Sequence, residues 1–99
     1  SGYFRHGLKI VEGPDTCVIE TSGIVKLRIA VPEGVRLFAD VRDRTGKSLF
    51  RPGITTKGGI VEISAEFKDK GDNYLLCWAG PEAHAENLPL AFSYLVKKR

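Results

Sequence analysis

The sequence predicts an all-β fold, an antiparallel β-sandwich of about eight strands, and three observations carry that prediction. Apolar and polar residues alternate with period two in four separate segments. Turn signals built on Gly, Pro and Asp recur roughly every 8 to 14 residues, the rhythm of hairpins rather than of strands joined by helices. No stretch carries a helical period long enough to pack; the one candidate, 81–87, lies between two strands.

The first two strands are expected over 3–11 and 16–21, the second opening on the apolar Cys17-Val18-Ile19. In the third, 24–31, Val25, Leu27, Ile29 and Val31 fall on one face while Lys26 and Arg28 take the other. Pro32-Glu33-Gly34 then turns the chain into 35–43, where Leu37, Ala39 and Val41 oppose Arg36, Asp40 and Arg42. Phe38 is an apolar residue on the polar side of that strand. Arg44-Thr45-Gly46-Lys47 leads to a short strand, 47–51, and Lys57-Gly58-Gly59 opens 59–67. There Val61, Ile63, Ala65 and Phe67 alternate with Glu62, Ser64 and Glu66.

The turn 68–72 precedes the strand 73–79, in which Tyr74, Leu76 and Trp78 point one way and Leu75, Cys77 and Ala79 the other. With both faces apolar, this strand is expected in the middle of a sheet, covered on both sides, with Trp78 in the core. After Gly80-Pro81, the last strand, 88–96, sets Leu88, Leu90, Phe92, Tyr94 and Val96 against Pro89, Ala91, Ser93 and Leu95. Each strand has an apolar side to bury, and two sheets packed face to face bury all of them.

The 99 residues suffice for one domain with a single core. Ser1 and Gly2 read as a cloning remnant, leaving 3–99 as that domain. A content of 42% hydrophobic and 27% charged residues is that of an ordinary globular chain. No apolar run reaches the roughly 18 residues of a membrane span, so membrane contact is expected only through a segment outside this sequence. The net charge of +3 is spread among interleaved acids and bases, whereas a nucleic-acid surface needs a stripe of one sign. Lys97-Lys98-Arg99, the one basic run, reads as a solvated tail.

The residues offer no catalytic, metal or cofactor site, and the chain is not expected to be an enzyme. There is no Cys-x-x-Cys, His6 and His84 lack ligand spacing, and Lys57-Gly58-Gly59 lacks the form of a phosphate loop. His84 is near Cys77 in sequence, but Cys77 sits in an apolar run that disfavours a thiolate. Glu62 and Glu66 read as a solvated edge, and Asp69 and Asp72 with Gly71 as a polar turn. For Cys17 and Cys77 two readings stand on the residues alone. One is a bridge closing a loop of about 60 residues, with roughly 4 kcal/mol of stabilisation by chain entropy. The other is a pair of buried free thiols in a cytosolic sandwich.

Three segments together resemble the lumenal GOLD (Golgi dynamics) domain of the p24 family of ER–Golgi cargo receptors. They are Cys17-Val18-Ile19-Glu20, the strand and turn 41–49 with the Gly-led 56–63, and Gly71 to Trp78, which resembles the family's Gly-x-Tyr-x-x-Cys followed by an aromatic. The resemblance spans 17–96 and implies a disulfide between Cys17 and Cys77, as that family has. It also implies a non-catalytic lumenal domain of a single-pass membrane protein in the ER and Golgi, binding protein cargo or sister p24-type chains as a homo- or hetero-oligomer. The expected contact surface is the loop 81–87, with Pro81, Glu82, His84, Glu86 and Asn87. Phe38 and Phe50, if exposed, make a second patch, although ordinary packing explains each more simply.

An immunoglobulin-like adhesive domain is the alternative. Against it, Tyr74 lies three residues before Cys77 rather than two, and Trp78 follows the second cysteine instead of lying between the two. An accessory sandwich of a larger enzyme, with carbohydrate as its ligand, is a third reading, but the only tryptophan is in a strand.

Overall fold

The computed structural model describes residues 7–14, 17–50, 58–81, 88 and 90–99. They form eight strands and no α-helix: β1 (Lys9–Glu12), β2 (Val18–Thr21), β3 (Ile24–Val31), β4 (Val35–Asp43), β5 (Ser48–Phe50), β6 (Gly59–Glu66), β7 (Gly71–Pro81) and β8 (Leu90–Lys98). Two sheets result, a three-stranded one in the order β1-β3-β6 and a five-stranded one in the order β2-β8-β7-β4-β5. All pairs are antiparallel except β2 with β8, which run parallel. The expected β-sandwich is the observed fold.

The period-two pattern places the core. Val25, Leu27, Ile29 and Val31 of β3 are buried with Ile63 and Ala65 of β6, and Phe67 follows them inward. From the other sheet come Leu37, Ala39 and Val41 of β4, Leu75, Cys77 and Ala79 of β7, and Phe92, Tyr94 and Val96 of β8. The ring centroids of Phe92 and Tyr94 lie 5.7 Å apart, edge to face.

The elements differ from expectation mainly at their ends. β7 starts two residues earlier, because Gly71 and Asp72 find partners in Lys98 and Lys97. It also runs through Gly80 and Pro81, opposite Arg36 and Val35, where a turn was expected. Pro81, which has no N–H to give the ladder, is the last described residue of that strand. β8 is displaced toward the C-terminus for the same reason, so Lys97 and Lys98 belong to a strand held by β7 and β2 rather than to a loose tail. The expected 3–6 part of the first strand and Thr16 of the second lie outside the described residues.

Three polar side chains lock the turns. The Asp43 carboxylate accepts from Thr45 Oγ1 at 2.6 Å and from the N–H groups of Thr45 and Lys47 at 2.8 and 3.0 Å, shaping the β4–β5 turn. Gly46 supplies the left-handed φ of 87° that this turn needs. The Thr45 hydroxyl foremost holds the Asp43 carboxyl below its ordinary value, with the two backbone N–H groups and the Lys47 charge adding to it, against an opposing desolvation second in size only to the Thr45 bond. Asn73, almost fully buried, donates through Nδ2 to the carbonyls of Asp69 at 2.9 Å and Gly71 at 3.3 Å, fixing the entry to β7. Thr21 Oγ1 donates to Ile24 O and accepts from Gly23 N–H, both at 3.1 Å, closing the tight β2–β3 link.

Two measurements check this packing. Leu75→Ala, at a fully buried position of β7, should cost about 2–5 kcal/mol in denaturant unfolding; a loss of a few tenths would show that β7 is not central to the core. For Asp43, a depressed folded pKa means that its stabilisation is present above the unfolded carboxylate value and is lost as the pH falls through the folded one. Asp43→Asn keeps an acceptor but not the charge, so its stability should decline less on acidification than that of the parent chain; parallel curves would count against the turn's electrostatics.

Candidate interaction face

The outward faces of the two sheets carry different chemistry. On the three-stranded sheet the register sets Arg28 between Glu12 and Glu62, and Lys26 opposite Ser64. The Arg28 Nη1 to Glu12 Oε2 pair, at 3.5 Å, joins side chains that are 49% and 72% exposed. Such pairs contribute little in water, and this face is a solvated surface.

The outward face of the five-stranded sheet is built on β7. Register places Val18, Leu95, Tyr74 and Arg42 in one row across β2, β8, β7 and β4. The next row is Ser93, Leu76 and Asp40, and beyond it Leu90, Trp78 and Phe38. Trp78 and Phe38 meet at 6.1 Å between ring centroids, tilted by 51°. The guanidinium carbon of Arg42 lies 5.2 Å from the centre of the Trp78 ring, within cation–π range.

Arg42 is not a loose side chain. Its Nε donates to Asp40 Oδ2 at 3.0 Å, while Asp40 Oδ1 accepts from Ser48 Oγ of β5 at 2.6 Å. Asp40 is only 1% exposed although its position has outward register. A carboxylate removed from water needs such partners, and removing one leaves an unpaired buried charge. Phe38, Arg42, Leu76, Trp78 and Leu95 are half-buried, while Val18, Leu90 and Tyr74 are exposed. No element among the described residues is layered on this face. Trp78 is therefore half-buried rather than a core residue as expected, and among the described residues β7 has a second strand layer on its inner side only.

Of the residues singled out from sequence, Pro81 ends β7 exposed, opposite Val35. Glu82, His84, Glu86 and Asn87 lie outside the described residues, as does the side chain of Phe50. Phe38, named as a second patch, is joined on this face by Arg42, Tyr74 and Trp78, which sequence reasoning did not group with it. Two signals pointed that way: the apolar outer row of β7 and the single apolar residue on the polar side of β4.

The Cys17–Cys77 bridge implied by the family resemblance is not formed: both thiols are free, Cys17 exposed and Cys77 buried. The sheet order is the reason. Cys17 precedes β2 and its carbonyl accepts from Leu95 N–H at 2.8 Å, so β8 lies between it and β7. Two strand spacings are about 10 Å, beyond the roughly 7 Å that a disulfide can span between Cα atoms. Burial pushes the Cys77 thiol up to about 12, which keeps it protonated and unreactive. Among the described residues no three His, Cys, Asp or Glu side chains gather to hold a metal ion. Comparison with protein-family models, curated proteins and solved structures finds no match to this chain.

In the native protein an aromatic disulfide reagent should titrate one thiol, Cys17, and a second only after denaturation. Immediate reaction of both would show that Cys77 is not sealed in, and no reaction after unfolding without reductant would restore the bridge. Because Cys77 is raised in the folded state, its contribution to stability is present below the unfolded thiol value and is lost as the pH climbs toward 12. Cys77→Ala should flatten that alkaline decline.

Proposed function

We propose that this chain is a non-catalytic protein-recognition module that docks a partner on the outward face of its five-stranded sheet. The observation that carries this reading is the single cluster of Phe38, Arg42, Tyr74 and Trp78 on a face with no described element over it. Trp, Tyr and Arg are the side chains that most often dominate binding energy at protein interfaces, since they bury much area around a polar handle. Here they stand on strands rather than on loops, and Arg42 is already oriented by Asp40, so less conformational freedom is lost on binding.

The strand order lends support to the immunoglobulin-like alternative over an unspecified sandwich. β1, β3 and β6 correspond to strands A, B and E of that architecture, and β8, β7, β4 and β5 to G, F, C and C′. The offset of Tyr74 from Cys77 still departs from its tyrosine corner, Leu75 occupying the usual place. Architecture alone does not choose a partner.

The narrower proposal, a lumenal p24-type domain binding cargo or sister chains in the early secretory pathway, rests on the Cys17, Asp43–Gly46 and Tyr74–Cys77 segments. It requires the bridge that is not formed here, and the thiol titration above bears directly on it.

A photo-crosslinking amino acid at Tyr74 tests the docking face against the same group at Ser64, on the charged face. A discrete adduct from Tyr74 alone, lost on Trp78→Ala with folding retained, is the expected result. The expected weakening is about tenfold or more. Equal adducts from both faces, or none from Tyr74, would overturn the proposal.

A further inference from the structure

Taking that docking face as its premise, we infer that Arg42 is a carboxylate anchor, and that the partner presents an Asp or Glu side chain beside a large apolar one. A guanidinium has five N–H donors in a planar fork. Arg42 commits Nε to Asp40, and its Nη hydrogens have no partner among the described residues. The side chain is 33% exposed, with its Nε edge held by Asp40 and its Nη edge not so held.

Three features match that edge to a carboxylate rather than to a neutral acceptor. First, the buried Asp40 holds the guanidinium in one orientation, so a bidentate contact needs little further ordering. Second, Trp78 lies against the guanidinium, giving it an apolar backing that lowers the local dielectric and strengthens a charge-assisted hydrogen bond. Third, Asp40 apart, the acids on the outward register of β2 and β7, Glu20 and Asp72, flank Lys97 in their own row rather than facing the fork. A partner carboxylate seated on Arg42 leaves its neighbouring side chain over the Trp78–Phe38 pair. Tyr74, opposite Arg42 in register, lines the other side. The occupant is therefore a segment of another protein with an acid flanked by Leu, Phe or Trp.

The test uses two sets of end-blocked hexapeptides, one with a central glutamate and the other with glutamine, each flanked by Leu, Phe, Trp or Val. Binding is followed by NMR at the Trp78 indole N–H and the Arg42 Nε–H. The glutamate set should move both signals saturably, the glutamine set should bind about tenfold more weakly, and added salt should weaken only the former. Arg42→Lys keeps the charge but not the fork and should lose most of that preference; if this variant fails to fold, the glutamate–glutamine comparison on the parent chain decides alone. Equal binding of both sets at this face would overturn the anchor while leaving the docking face in place. No response from either set would overturn both.

Discussion

The structure depends on one strand having partners on both edges and apolar residues on both faces. β7 is laddered to β4 from Val35↔Pro81 to Asp43↔Asn73 and to β8 from Gly71↔Lys98 to Trp78↔Leu90. Its inward row, Leu75, Cys77 and Ala79, is fully buried and meets the three-stranded sheet across the core. Its outward row, Tyr74, Leu76 and Trp78, supplies the centre of the candidate face. Core and face are therefore coupled geometrically, since a one-residue slip in β7 would exchange the two rows.

The two outward surfaces show how differently charge is used. On the three-stranded sheet, Arg28 and Glu12 lie in water, where their attraction is screened and costs side-chain entropy. On the five-stranded sheet, Asp40 is withdrawn from water and answered by Ser48 and Arg42. That pair orients a guanidinium over an indole, and the same contacts that satisfy the buried acid set the geometry of the face. The side of the molecule with fewer exposed charges is thus the one with the more defined polar arrangement.

Much of this was legible in the chain. The alternation in 24–31, 35–43 and 59–67 located β3, β4 and β6 almost to the residue, because burial of one sheet face imposes a period of two that no other fold requirement erases. Strand ends were less legible, since where pairing stops depends on the neighbouring strand's length, as at Gly71 and Pro81. The candidate face was half legible. Phe38 stood out in its own strand, and β7 showed two apolar rows, but their assembly with Arg42 needs the β4–β7 register, a contact between residues some 30 to 40 positions apart that local pattern does not encode. Trp78 was assigned to the core because an apolar row is equally consistent with a covered face and with an open one.

By itself, then, the amino-acid order determined the all-β class, the inward residues of most strands and the turn chemistry at Asp43 and Gly46, all properties set within a few residues of one another. Only the tertiary structure decided the strand order, and with it the fate of the cysteines. Placing β8 between β2 and β7 separates Cys17 from Cys77 by two strand spacings, although both lie in apolar segments that a motif would join. It likewise decided that Trp78 faces outward beneath Arg42. Which of two apolar rows a strand buries is settled by what packs against the sheet, and that is a property of the whole chain rather than of any segment.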